Sequence, residues 1–566
     1  MRLTSLVSLS PHYDAVVIGA GICGIYQAYR LSQMGLRATV LERGSGAGGT
    51  WHWNRYPGCR FDSESETYGY SWSAELLAEW DWTEHYAPRE ETEKYLQLVV
   101  KKFNLEAMMQ FGCEVCAAHW QEDNRMWTVR LTNGRTLSTR FLLTAVGLLS
   151  APTMPRYEGV SDFQGLSFHT YYAPKDPIDL RGKRVAVIGT GATGVQLISA
   201  ISKDVAKLSV YQRRPNWCAP LNNSPISAQE MAEIKTRYAE IFAKCHSTPS
   251  GFVHDVDNRT TFEVTQEQRE EFWERLYHGA GFGVWLGNFK DMLVDEAANA
   301  EFSKFVARKI RQRVKSPVLA DKLIPKDHGF GTRRVPMETG YYEVFNQSNV
   351  KLVDLEESPI VRVTESGILT THGEESFDVI VYATGFDAVT GAFERMDIVG
   401  TNGLSLKEKW RDGPVTGYGM AIRGFPNLLT LAGPQSGSVA TNFPRGIEEA
   451  VDWCTGLLQA ALDRDATRIE LKPVVEVYWG KHVMEMAEKI LFTKERSWFT
   501  GYNSNVNREY VKRYLIYAGG AQRFRDYLHK ETSNGFPGFE IGYGRGAERH
   551  EGSPTKRSPK PNFSRT

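Results

Sequence analysis

Short apolar runs that end in glycine and give way to helical spacing are the first pattern visible along the chain. Tyr13 to Ile18 is such a run, rich in Val and Ile, and it leads straight into Gly19-x-Gly21-x-x-Gly24. Arg184 to Ile188 is a second, leading into Gly189-x-Gly191-x-x-Gly194. A strand, a glycine-rich turn and a helix in that order open a dinucleotide-binding fold. Two such openings, far apart, predict two nucleotide-binding domains and not a repeat of short period.

Between them, Arg140 to Gly147 reads as a buried strand, and the proline-rich Ala151 to Pro155 as a crossover out of the first domain. Phe377 to Asp387 reads as the matching return, and Leu428 to Gly433 as another short strand ending in glycine. The simplest topology is an α/β fold with two Rossmann-like domains, the second inserted into the first. Residues 227–314 are charged, aromatic and without strand alternation, which predicts a helical insertion in the second domain. The boundaries read as 1–150 and 386–545 for the outer domain and 151–385 for the inserted one. Residues 546–566, dominated by Gly, Ser, Pro, Lys and Arg, read as a disordered tail.

A length of 566 residues, too great for one core, agrees with several domains. Lys+Arg and Asp+Glu both number 67, so no positive field draws the protein to nucleic acid or acidic membranes. Met1 to His12 is too poor in apolar residues for a secretory leader, and no run reaches membrane-spanning length. The expectation is a soluble, cytoplasmic protein; the oligomeric state is open, with a monomer plausible. Seven scattered Cys suggest reduced thiols. Cys113 and Cys116 form a C-x-x-C, but no partner pair stands at zinc spacing, so no metal site is expected.

The glycines of each turn let backbone N–H groups approach a pyrophosphate at a helix N-terminus. After the first turn, Glu42 closes the next apolar run, where a carboxylate accepts from a ribose diol. After the second, the corresponding run ends in Gln212-Arg213-Arg214. A carboxylate there would repel a 2′-phosphate, whereas arginine pairs with one. The first site therefore suits FAD or NAD and the second NADP; the alternative for Arg213 and Arg214 is a merely solvated strand end.

The stretch Gly49-x-Trp51, then Tyr56-Pro57-Gly58, then Asp62 resembles the short fingerprint of the type I Baeyer–Villiger monooxygenases at every specified position. Gly331 to Pro336 resembles the basic loop of that family, Ala383 to Asp387 its domain linker, and Ser497 to Gly501 its late aromatic loop. The resemblance spans roughly residues 12 to 530. One departure stands out: Phe163, Gly165 and His169 fit the long fingerprint, but Ala173 replaces its Trp. That motif lies at the domain junction in the family, so the departure bears on domain coupling.

The resemblance implies an FAD-containing, NADPH-dependent monooxygenase, with the NADP domain inserted into the FAD domain. It implies insertion of one O2-derived oxygen beside a ketone carbonyl, through a C4a-peroxyflavin, to give an ester or lactone. Arg334 is then the cation beside the reacting oxygen and Asp62 the group that orients it. Arg333 meets the NADP phosphate with Arg213 and Arg214. Thr50, Trp51, Asp62 and Tyr68 flank the flavin, and Trp498 packs on NADP or the substrate. The blander alternatives are a loop cap for Asp62, a structural ion pair for Arg334 and a core aromatic for Trp498. His169 reads as a hydrogen-bonding group at the domain interface. The alternative function is a flavin monooxygenase that oxygenates nitrogen or sulfur or hydroxylates carbon.

Overall fold

The computed structural model describes residues 12–506 and 508–542. The expected tail at 546–566 lies outside the described residues, as do residues 1–11. At the centre of the first sheet, His12–Ile18 runs parallel to Ala38–Leu41 on one side and to Thr136–Thr144 on the other. Val17 pairs with Val40 and with Leu143, and all three are fully buried. Val115–Gln121 and Met126–Leu131 extend the sheet as an antiparallel meander. The sheet is completed from far along the chain: Leu428–Thr430 pairs with residues 142–144, and Asp397–Val399 with residues 117–119.

The second sheet holds five parallel strands in the order Val350–Asp354, Lys207–Gln212, Arg184–Ile188, Val379–Tyr382 and Leu166–His169. Helices cover both faces of such a sheet, so its central strands read as continuous apolar runs. Val185, Ala186 and Val187 are accordingly fully buried. One expectation changes here. Val379–Tyr382, read as part of the return to the first domain, belongs to the second sheet, because its apolar run pairs with Arg184–Ile188.

The crossing back follows at once, and it lies against the outgoing one. Thr153 N–H donates to the Gly385 carbonyl at 3.0 Å, the Thr384 hydroxyl donates to the Thr153 carbonyl at 2.6 Å, and Asp387 N–H donates to the Ala151 carbonyl at 2.8 Å. Ala151–Pro155 and residues 383–387 thus form a paired linker.

The expected helical insertion contains Ala228–Ser247, Gln266–His278 and Glu296–Arg313. Their N-caps Ser227, Thr265 and Asp295 each accept a backbone N–H of the first turn, and Thr265 completes a capping box with Gln268. A short turn of helix, Gly283–Leu286, follows Phe282 and carries Trp285. A small antiparallel sheet, Ile360–Val363, Gly367–Thr370 and Gly373–Ser376, had no counterpart in the apolar pattern, since its strands are short and mostly polar or half-buried. Among the described residues no helix is long and apolar enough to cross a membrane. No cluster of potential metal ligands occurs among them, and Cys113 and Cys116 are both free thiols.

Candidate active site

A cavity of about 990 Å³ lies between the two sheets and reaches both glycine-rich turns. The turns are built alike. Gly19 has φ +105° and Gly189 φ +111°, and a Cβ on either would lie 2.5 or 2.4 Å from the carbonyl oxygen of Ala145 or Ala383. A Cβ on Gly24 or Gly194 would strike the carbonyl of Gly19 or Gly189 at 1.9 or 2.2 Å. These last two glycines do not line the cavity; they let each helix pack against its strand. Gly21 and Gly191 do line it, and a Cβ on Gly191 would meet nothing within 4 Å.

Ile22–Gln33 and Ala192–Ile201 begin at Gly21 and Gly191 without a side-chain cap. Their first-turn N–H groups therefore remain available to an anion, with the helix dipole in the same sense. Both turns fit a dinucleotide pyrophosphate on these grounds.

Glu42 sits at the edge of the first turn, only 5% exposed. Its two carboxylate oxygens accept from Ala20 N–H at 2.9 Å and Gly44 N–H at 2.7 Å. Each oxygen keeps acceptor capacity for a ribose hydroxyl. Trp51 and Tyr68 form a buried wall: the Trp51 indole donates to the Tyr68 hydroxyl at 2.9 Å, and Tyr68 stacks on Phe61 at 4.2 Å. Burial raises the Tyr68 phenol well above its ordinary value. Thr50, at the head of the same short helix, is exposed to the cavity.

Asp62 and Arg334 meet in this space. Arg334 Nη2 donates to Asp62 Oδ2 at 2.7 Å, and the carboxylate is 6% exposed. Burial raises the Asp62 pKa, and the arginine charge opposes that rise. The Arg334 guanidinium also donates to the Val335 carbonyl and lies over the rings of Phe282 at 4.8 Å and Trp285 at 5.9 Å. The helical insertion thus supplies an aromatic seat for the cation.

Gln196, on the helix after the second turn, carries no local signal in the sequence and was not anticipated. Its amide donates to Asp62 Oδ1 at 3.3 Å and to the Arg60 carbonyl at 3.1 Å, and its oxygen accepts from Tyr56 at 2.9 Å. The short-fingerprint segment and the second nucleotide unit are tied together through it.

Arg213, Arg214 and Arg333 all line the cavity. Two acids not anticipated stand among them. Arg333 Nη2 lies 3.0 Å from Asp327 and 3.4 Å from Glu495, and Arg214 Nη1 lies 3.5 Å from the same Asp327 oxygen. Arg213 donates to the Ser504 hydroxyl. The hydrogen bond with His328, then the charge of Arg333, hold the Asp327 carboxyl well below the usual range.

Trp498 is half-buried, 4.3 Å from the Phe499 ring, and lines the cavity near Phe492. From the loop Ser438 to Phe443, Thr441 and Phe443 reach the cavity.

His169 is an anchor for the paired linker. Its Nδ1 accepts from Tyr171 N–H at 3.1 Å, which leaves Nε2–H to donate to the Gly385 carbonyl at 3.1 Å. Burial lowers its pKa to about 4. Ala173 is buried, and beside it Tyr171 stacks on Trp53 at 5.3 Å and accepts from Arg43 at 2.8 Å.

Comparison with known proteins extends this picture. The profile of the pyridine nucleotide-disulphide oxidoreductase family matches residues 16–283. The chain is 41% identical over 538 residues to 2-oxo-Delta(3)-4,5,5-trimethylcyclopentenylacetyl-CoA monooxygenase of Pseudomonas putida, covering 94% of this chain and 99% of that one. It is 35% identical over 529 residues to a Baeyer–Villiger monooxygenase of Pseudooceanicola batsensis, covering 93% and 95%. Among solved structures, the OTEMO complex with FAD and NADP superposes with a TM-score of 0.91 at 41% identity, covering 94% of this chain and all 100% of that one. With two dinucleotide turns opening on one cavity and likeness along nearly the whole chain, this protein belongs to the Baeyer–Villiger monooxygenases.

Proposed function

We propose that this chain, with FAD on the first glycine turn and NADPH on the second, inserts one atom of O2 beside the carbonyl of a small ketone to give an ester or lactone. The observation that carries this reading is the Arg334–Asp62 pair, set in a cavity that both turns share. When bound, the two dinucleotides supply the reducing equivalents and the activation of oxygen.

The residues supply position and charge. Arg334 offers a planar fork of donors where negative charge gathers on oxygen. Asp62 aims that fork, and Gln196 holds Asp62. Phe282, Trp285 and Phe492 keep water from the same space. Glu42 receives the ribose hydroxyls of FAD, with Thr50, Trp51 and Tyr68 beside the ring system. Arg213, Arg214 and Arg333 receive the 2′-phosphate of NADPH, and Trp498 packs against that nucleotide or the substrate.

The two sheets support a division into 1–150 with 386–545 and the inserted 151–385. Free thiols and balanced charge support a cytoplasmic protein.

A panel of linear, cyclic and aryl ketones, turned over with NADPH under isotopically labelled dioxygen, tests the reading. One labelled atom in an ester or lactone is the expected result. An amine or sulfide oxygenated while every ketone is ignored replaces it with heteroatom oxygenation. Product without label rejects monooxygenation altogether.

A further inference from the structure

We infer that Asp327 is a positioning residue that assembles the 2′-phosphate clamp of the second nucleotide site and thereby sets preference for NADPH over NADH. This rests on the reading of Arg213, Arg214 and Arg333 as the phosphate-binding cations.

The geometry is that of a bridging anion. One carboxylate oxygen of Asp327 lies 3.0 Å from Arg333 Nη2 and 3.5 Å from Arg214 Nη1, so two guanidinium groups from distant segments pair with a single oxygen. Without an anion between them the two cations repel, and two long side chains regain the freedom to turn outward.

Asp327 is itself held. Its other oxygen lies 2.7 Å from His328 Nδ1, and the His328 side chain is 1% exposed. The Trp217 indole donates to the His328 carbonyl at 2.9 Å. His328 Nε2 lies 3.4 Å from Asn216 Oδ1, and Asn216 in turn donates to the Arg334 carbonyl at 3.0 Å. The clamp is thus anchored to the loop that presents Arg334.

Asp327 is an anion beside a site for an anion, so two effects compete. Its side chain is 39% exposed, and water and salt screen its repulsion of an incoming phosphate. The ordering of two arginine side chains before the ligand arrives is not screened. Each guanidinium has five donors and gives only a few to acids here, which leaves donors for phosphate oxygens. Preorganisation therefore wins over repulsion.

Titration calorimetry of NADP+ and NAD+ on the purified flavin-loaded enzyme tests this without turnover. Tighter binding of NADP+ than of NAD+ by the parent supports the phosphate-binding reading; equal binding rejects that reading, apart from the role of Asp327. In Asp327→Asn the NADP+ dissociation constant rises about five-fold relative to that of NAD+, the scale of a half-exposed ion pair. Asp327→Glu restores most of the preference. In Arg214→Gln/Asp327→Asn the losses fall short of additive, because both act through one clamp. NADP+ bound as tightly or more tightly by Asp327→Asn, an equal loss for both nucleotides, or additive losses in the double variant each overturn the inference.

Discussion

Asp62 and Arg334 stand 272 residues apart in the chain, yet their side chains meet at 2.7 Å inside the cavity. The carboxylate is buried and the guanidinium partly open to the cavity, with 30% of its side chain exposed. The pair therefore fixes a cation at a surface that a substrate can reach.

Arg334→Ala removes that cation. NADPH consumption in the presence of ketone persists, but product falls by about a hundred-fold or more, the size expected for losing a preorganised charge at a developing oxyanion. Arg334→Lys keeps the charge without the fork and recovers only part of the yield. Product formed per NADPH consumed is the measurement.

Asp62 should set the acid limb of the pH–activity profile. Burial raises its pKa, so its ionised form is lost, as pH falls, above the ~3.9 of an ordinary aspartate. Activity that depends on the ionised pair should therefore decline at a higher pH than an exposed carboxylate would give. Asp62→Asn lowers activity about ten-fold or more at neutral pH and removes that limb from a kcat/KM profile.

Stability should carry a separate signature from His169. Its folded pKa of about 4 lies below the ~6.5 of an unfolded histidine. The neutral form is favoured in the native state, so this contribution is whole above pH ~6.5 and is lost as pH falls toward ~4. The loss is on the order of 3 kcal/mol for a ring that is almost fully buried. Urea melts at several pH values measure it, and the steep segment should flatten in His169→Asn.

Gly191 and Gly194 should part company on substitution. Alanine at Gly191 meets no protein atom within 4 Å and has ordinary φ of −78°, so the fold keeps its Tm while NADP+ binding weakens about ten-fold. Alanine at Gly194 drives a Cβ to 2.2 Å from a carbonyl oxygen, so Tm and binding fall together. Thermal melts beside nucleotide titrations separate the two cases.

The parts of this site that local chemistry dictates were legible in the sequence. A turn that must bring backbone against a phosphate excludes side chains, and the glycines at 19, 21, 189 and 191 announce it. Glu42 and the Arg213-Arg214 pair were read from their place at the end of the strand after each turn. The groups that arrive through folding left no local mark. Gln196 faces Asp62 because a helix from one unit packs on a loop from the other. Asp327 and Glu495 enter the arginine cluster from separate loops, and Phe282 and Trp285 reach Arg334 from the insertion. The small sheet at 360–376 left no readable alternation, because each short strand holds only a few half-buried residues.

The first sheet owes its completion to strands that follow the inserted unit. Because Leu428–Thr430 is zipped onto residues 142–144 and Asp397–Val399 onto residues 117–119, the segments before and after the inserted unit are clasped together. A protease that nicks residues 151–155 should therefore leave two fragments that travel as one particle, separating on a denaturing gel but not in a sizing column. The same clasp makes the early strands wait for the late ones during synthesis, so the first unit closes only after the second has been made.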